Sequence, residues 1–194
     1  MKPLLAFTSG DPGGIGPETV IKAAADRRVR AACRPLFIGP REAFRRAGWT
    51  EALGPVLDTG GCRKAPPHAP SAQAGSESFA AVHLAVKLAL AKEVDAIVTA
   101  PISKQSWALA KTGYLGHTDF LRYACAAQHA VMSFIAGRIR CALVTEHTPV
   151  SRLSSSLTTA RIAATCRTFA AEMKRLGVKN PKLGLCALNP HAGD

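Results

Sequence analysis

What this sequence has little of narrows its possible functions before any motif is read. Acidic residues are scarce, 13 Asp and Glu against 25 Lys and Arg in 194 residues. Long apolar runs are missing: the longest, around Ala80 to Ala91, is interrupted by His83 and Lys87, well short of the roughly 20 residues that a membrane helix requires, so no membrane partner is expected. Only a few apolar residues separate Met1-Lys2-Pro3 from Ser9-Gly10-Asp11, too few for the roughly 7 to 15 residues of a secretion-signal core, and the expected location is the cytoplasm. The six cysteines include no CxxC pair. They read as reduced, mostly buried thiols, not as a zinc or disulfide framework. Aromatic side chains make up only 6% of the chain.

What is present is a globular composition, 47% hydrophobic and 20% charged, with 16 Gly and 13 Pro. A chain of this length can bury roughly 70% of its unfolded surface, enough for one large or two small domains without staples. The net charge of +12 suits an anionic partner, either nucleic acid or a small phosphorylated molecule. The basic residues are dispersed (Arg27, Arg28, Arg30, Arg34, then Arg41, Arg45, Arg46) and are not interleaved with aromatics. No nucleic-acid-reading motif is present, so nucleic acid is not the expected partner.

Short β-rich runs alternate with segments of helical period. Leu4 to Thr8, Pro35 to Ile38 and Asp95 to Thr99 read as strands. So do Ala130 to Ile135, Arg140 to Thr145 and Lys182 to Leu188. Helices are expected over Pro17 to Asp26, Arg41 to Ala47, Glu77 to Lys92, Thr118 to Ala127 and Thr158 to Leu176, the last ended by Gly177. This alternation predicts a three-layer α/β protein with a largely parallel sheet. Residues 59–76, rich in Gly, Pro, Ala and Ser, read as a long loop.

Chemistry-bearing residues fall in loops that follow predicted strands, where α/β proteins place their sites. Ser9-Gly10-Asp11-Pro12-Gly13-Gly14-Ile15-Gly16-Pro17-Glu18 opens the first helix. It is either a cradle whose amides hold an anion or a tight ligand-free turn. Lys104 closes Thr99-Ala100-Pro101-Ile102-Ser103-Lys104, and Thr118 in Gly116-His117-Thr118-Asp119 is a natural N-cap; these are site residues or, alternatively, a surface lysine and a cap. His147 in Thr145-Glu146-His147 and His191 in Asn189-Pro190-His191 each lie just past a predicted strand, placed for a divalent metal or acid–base work, or as structural histidines.

Together with Thr148-Pro149 and Ala192-Gly193, these ordered segments resemble the 4-hydroxythreonine-4-phosphate dehydrogenase family of pyridoxal phosphate biosynthesis over nearly the whole chain. The resemblance implies an isocitrate/isopropylmalate dehydrogenase-like α/β fold, homodimers, and NAD or NADP bound without a GxGxxG loop. It implies His147 and His191 as two of three ligands of a divalent metal (Zn, Mg or Co). His117 and Thr118 correspond to residues that bind the phosphorylated amino-acid substrate, and Lys104 and Asp11, close to the cleft, to candidate catalytic residues. It also implies an incomplete C-terminus: residues 1–194 would be the N-terminal portion of a two-lobed enzyme, lacking the third histidine. The expected reaction is oxidation of 4-phosphooxy-L-threonine to a β-keto acid that decarboxylates. Kept beside it are a related dehydrogenase acting on another phosphorylated hydroxy acid or a cis-dihydrodiol, and an inactive anion-binding fragment.

Overall fold

The computed structural model describes residues 1–61 and 69–193, which form two compact units, Met1–Ala126 and Ala127–Asp194. The first contains a four-stranded sheet of β1 (Leu4–Thr8), β2 (Arg34–Gly39), β3 (Val56–Asp58) and β4 (Ala96–Thr99) in the order β3-β2-β1-β4, all parallel. Parallel neighbours require crossovers. These are built from α1 (Gly16–Ala25), α2 (Arg27–Ala32), α3 (Arg41–Arg46) and α4 (Ala72–Leu90), while α5 (Lys104–Leu109) and α6 (His117–Ala124) follow β4.

The two-residue period of the strands explains the layering. Phe7 and Phe37, side by side in register, pack with Val20, Ile21 and Ala24 of α1 and Phe44 of α3. Ala6 and Ile38 face the other way, onto Ala81 and Ala85 of α4. With both faces of the central strands covered, the unit is the three-layer α/β arrangement that the alternation predicts.

A further apolar cluster, Val82 and Val86 of α4 with Trp107 of α5 and Phe120 of α6, ties the last three helices of the unit together. The Trp107 indole N–H donates to Ser78 Oγ at 2.9 Å. Helices α4 and α5 touch backbone to backbone: a Cβ on Gly75 would stand 1.9 Å from the Ser106 carbonyl oxygen. Ser71 caps α4 by accepting the Ala74 N–H at 3.1 Å, so the helix starts at Ala72, inside the stretch expected to be a loop. Residues 62–68 of that stretch lie outside the described residues.

The second unit contains an antiparallel hairpin of β5 (Ser133–Ala136) and β6 (Ile139–Ala142), a single turn α7 (Leu153–Ser156), and the long α8 (Thr159–Arg175). Thr158 Oγ1 accepts the Arg161 N–H at 3.2 Å to cap α8, and Gly177 beyond its end has φ +89°. Helix α8 buries Ala164, Thr165, Phe169 and Met173. The strand expected over Lys182 to Leu188 is not formed, because this segment pairs with neither β5 nor β6 and a strand exists only through its partner. The thiols are also more open than expected: Cys33 is buried and Cys166 half-buried, but Cys125, Cys141 and Cys186 are exposed. Among the described residues no helix is long and apolar enough to cross a membrane.

Candidate functional site

In the first unit the chain leaves β1 toward β2 on one side of the sheet, while β4 joins on the other. The carboxyl ends of β1 and β4 therefore border the topological switch point, where α/β sheets accept ligands. The loops following these two strands, residues 9–15 and 100–103, meet there. A Cβ at Gly10, whose φ is +63°, would lie 2.3 Å from the Pro101 carbonyl oxygen. Only glycine allows both that approach and that dihedral.

Asp11 is the buried knot between the loops. Its N–H donates to Pro101 O at 2.9 Å, Oδ1 accepts the Gly13 N–H at 2.8 Å, and Oδ2 accepts the Ser106 hydroxyl at 2.9 Å. Ser106 Oγ in turn accepts the Ser71 N–H at 3.3 Å, which brings in the start of α4. The Gly14 N–H donates to Asp11 O at 3.0 Å. Both glycine amides are thus engaged by the chain itself, and a carboxylate stands beside them. The loop is a tight turn in which the amides of Gly13 and Gly14 are already taken up by Asp11 and so are not open to an anion. A small cleft of about 260 Å³, lined by Asp11, Gly13, Gly14, Ala69, Pro70 and Ser103, remains outside it.

Lys104 is the first residue of α5, exposed, directly after Ser103, whose hydroxyl caps the helix by accepting the Ser106 N–H at 3.1 Å. The Lys104 methylenes lie along the turn at Gly116, where a Cβ would be 3.4 Å from Lys104 Cε. The structure therefore brings Lys104 and Gly116-His117 together. The cap of α6 is Gly116 and not Thr118, which sits exposed in the first turn, because the helix begins at His117. The His117 ring meets Trp107 edge-on with centroids 5.7 Å apart, and its Nε2 is buried with no hydrogen-bond partner. Burial holds its pKa below the ordinary 6.5, so it is a neutral imidazole at pH 7. Sequence reasoning missed Ser106 and Trp107. The signal was there in Ser103 and Ser106, a cap and its third helical residue, which marks a helix start.

His147 and His191 belong to the second unit, both exposed. Each has a left-handed backbone, φ +47° and +60°. The other non-glycine residues of this kind, Lys92, Lys111 and Ala126, each stand two residues beyond a helix end, where that conformation is the usual way to stop. The two histidines have no such excuse, and unexplained left-handed residues gather at functional sites. The His147 turn is pinned on both sides: Glu146 Oε1 accepts the Met132 N–H at 3.2 Å, and Arg161 Nε donates to Val144 O at 2.8 Å. Imidazoles are apt donors for a divalent ion, but among the described residues no group of three or more His, Cys, Asp or Glu side chains gathers to hold one. The described residues therefore do not make up a whole metal site.

Comparison with known proteins places this arrangement. Residues 19–194 match the family model described as pyridoxal phosphate biosynthetic protein PdxA. The chain is 32% identical over 216 residues to 4-hydroxythreonine-4-phosphate dehydrogenase of Trichlorobacter lovleyi, covering 100% of this chain and 64% of the relative. It is 30% identical over 215 residues to D-threonate 4-phosphate dehydrogenase of Cupriavidus necator, covering 99% and 64%. The crystal structure of 4-hydroxythreonine-4-phosphate dehydrogenase from Klebsiella pneumoniae superposes with a TM-score of 0.89 at 28% identity, over 100% of this chain and 65% of that one. The chain thus spans about 64% of the length of curated relatives that it matches. The isocitrate/isopropylmalate dehydrogenase-like α/β class expected from the sequence stands on these likenesses.

Proposed function

Because the chain belongs to the PdxA family of pyridoxal phosphate biosynthetic proteins, we propose that it carries the substrate-binding part of an NAD(P)-dependent oxidoreductase acting on 4-phosphooxy-L-threonine. The product would be a β-keto acid that loses carbon dioxide to give 3-amino-2-oxopropyl phosphate. Acceptance of the hydride from the hydroxyl-bearing carbon is the chemistry that a nicotinamide cofactor would supply.

One observation carries the reading. The His117 Nε2 is a buried, unpartnered nitrogen on a turn against which Lys104 lies. A buried polar atom without a partner costs free energy that a bound hydroxyl or phosphate oxygen would recover. Neutral His117 would exchange a hydrogen bond with the substrate, Thr118 would add its exposed hydroxyl, and Lys104 would offset the substrate's negative charge. Asp11, both of whose oxygens are engaged by Gly13 and Ser106, acts as a positioning residue that holds the two loops in register. His147 and His191 would supply two imidazoles toward a divalent ion.

Calorimetric titration tests the substrate assignment. The 194-residue chain should bind 4-phosphooxy-L-threonine, and His117→Ala should weaken binding about tenfold, the cost of one hydrogen bond of roughly 1.4 kcal/mol. Equal binding by both proteins would sink the assignment. D-threonate 4-phosphate, named for the C. necator relative, belongs in the same titration; tighter binding of it would move the proposal to that substrate. For the metal, His147→Ala should lower bound metal and His129→Ala should not.

A further inference from the structure

We infer that a cleft in the second unit is a thiol–disulfide exchange site for a small anionic disulfide, a reading that does not depend on the proposed dehydrogenase chemistry. The cleft holds about 370 Å³. Cys141 of β6, Cys166 of α8 and Cys186 of the unpaired 182–188 segment all line it. Three elements far apart in sequence thus deliver thiols to one space. All three are free; Cys141 and Cys186 are exposed and Cys166 is half-buried.

The rest of the lining selects the ligand. Arg140 and Lys182 border the cleft, and no Asp, Glu or His does. Neither cation is engaged in an ion pair among the described residues. Free thiols beside cations are suited to exchange with a disulfide. Two unpaired cations draw in an anionic disulfide and offset the charge on the sulfur that departs.

In the exchange the thiolate of Cys141 or Cys186, its proton released to solvent, attacks one sulfur of the small disulfide. A protein–ligand S–S bond forms as the ligand's own S–S bond breaks. The other half leaves as a thiolate and takes a proton from solvent. The small disulfide is the oxidant, and one mixed disulfide and one free thiol result.

The test uses the full 194-residue chain, oxidised glutathione as the anionic probe, and site-resolved mass spectrometry over time. Cys125, exposed but outside the cleft, is the internal comparator. At low salt Cys141 and Cys186 should be modified about fivefold faster than Cys125, the scale expected for two cations acting through water. That advantage should shrink with uncharged bis(2-hydroxyethyl) disulfide, with added salt, and in the Arg140→Gln/Lys182→Gln double variant. Both substituted side chains are exposed, and an unchanged circular dichroism spectrum would confirm the variant's fold. A Cys125 rate equal to the cleft rates, or the same preference with the uncharged disulfide, would overturn the inference.

Discussion

The two units bury their β-structure very differently. In Met1–Ala126 the central strands β1 and β2 are covered on both faces by helices. In Ala127–Asp194 every residue of β5 is exposed, and so is all of β6 except the half-buried Ala142. Phe134 and Ile139 are 53% and 69% exposed there. A two-stranded hairpin is marginal by itself, and α8 buries only its own Ala164, Thr165, Phe169 and Met173. The first unit therefore has the packing to hold a site still. The second carries His147 and His191 on turns whose conformation owes little to a core.

The sharpest way to break the contrast is at the α4–α5 contact. Gly75→Ala would set a methyl 1.9 Å from a backbone oxygen and 2.4 Å from its carbon. Neither is the movable end of a side chain, so the helices must part. The expected loss is about 4 kcal/mol or more, the exceptional range for a point mutation, read as a lowered urea midpoint. A shift under about 1 kcal/mol would mean that the first unit is as loosely packed as the second.

That contact also shows where sequence reading stopped. Leu4–Thr8 and the helix after Gly16 were legible because their periodicity reflects burial that their own residues dictate. The first five residues of α4, Ala72 to Ser76, were not: Gly75 and Ser76 are weak helix formers, and it is packing against α5 that makes glycine necessary. Helix α5 itself, only six residues, Lys-Gln-Ser-Trp-Ala-Leu, is too short to display a period. The Lys182–Leu188 strand failed for the opposite reason, since its apolar residues read as a strand while its pairing depends on a neighbour that the pattern cannot specify. The motifs singled out His117, Lys104 and Asp11, but not that Asp11 Oδ2 would accept the hydroxyl of Ser106, 95 residues away in sequence, a partner that no local pattern specifies.

A paired truncation measures the same contrast through side chains. Phe120 is 3% exposed and touches Phe79 and Tyr114 at centroid distances of 4.9 and 5.1 Å. Phe120→Ala should cost about 3–4 kcal/mol, whereas Phe134→Ala should cost less than about 1 kcal/mol. Comparable losses in thermal or urea unfolding would show that the hairpin face is covered in solution.

Titration gives a smaller effect with a definite sign. Because burial lowers the His117 pKa in the folded chain, the unfolded chain binds the extra proton first as pH falls. Stability contributed by neutral His117 is therefore complete above the unfolded value of about 6.5 and is lost as pH falls from there toward the lower folded value. Unfolding free energies of wild type and His117→Gln measured across that window should converge toward acid. Parallel curves would show the ring to be freely hydrated.

The smallest expected change distinguishes the two kinds of left-handed residue. Lys111, φ +52°, stands two residues past the end of α5, where glycine adopts the same conformation without a Cβ penalty. Lys111→Gly should stabilise the chain by about 0.5–1 kcal/mol, seen as a raised urea midpoint, and leave titration with 4-phosphooxy-L-threonine unchanged. His147→Gly should relieve a similar backbone cost while lowering bound metal. If it stabilises the chain and metal content stays at the wild-type level, the left-handed turn at His147 serves the fold of the second unit and not a ligand.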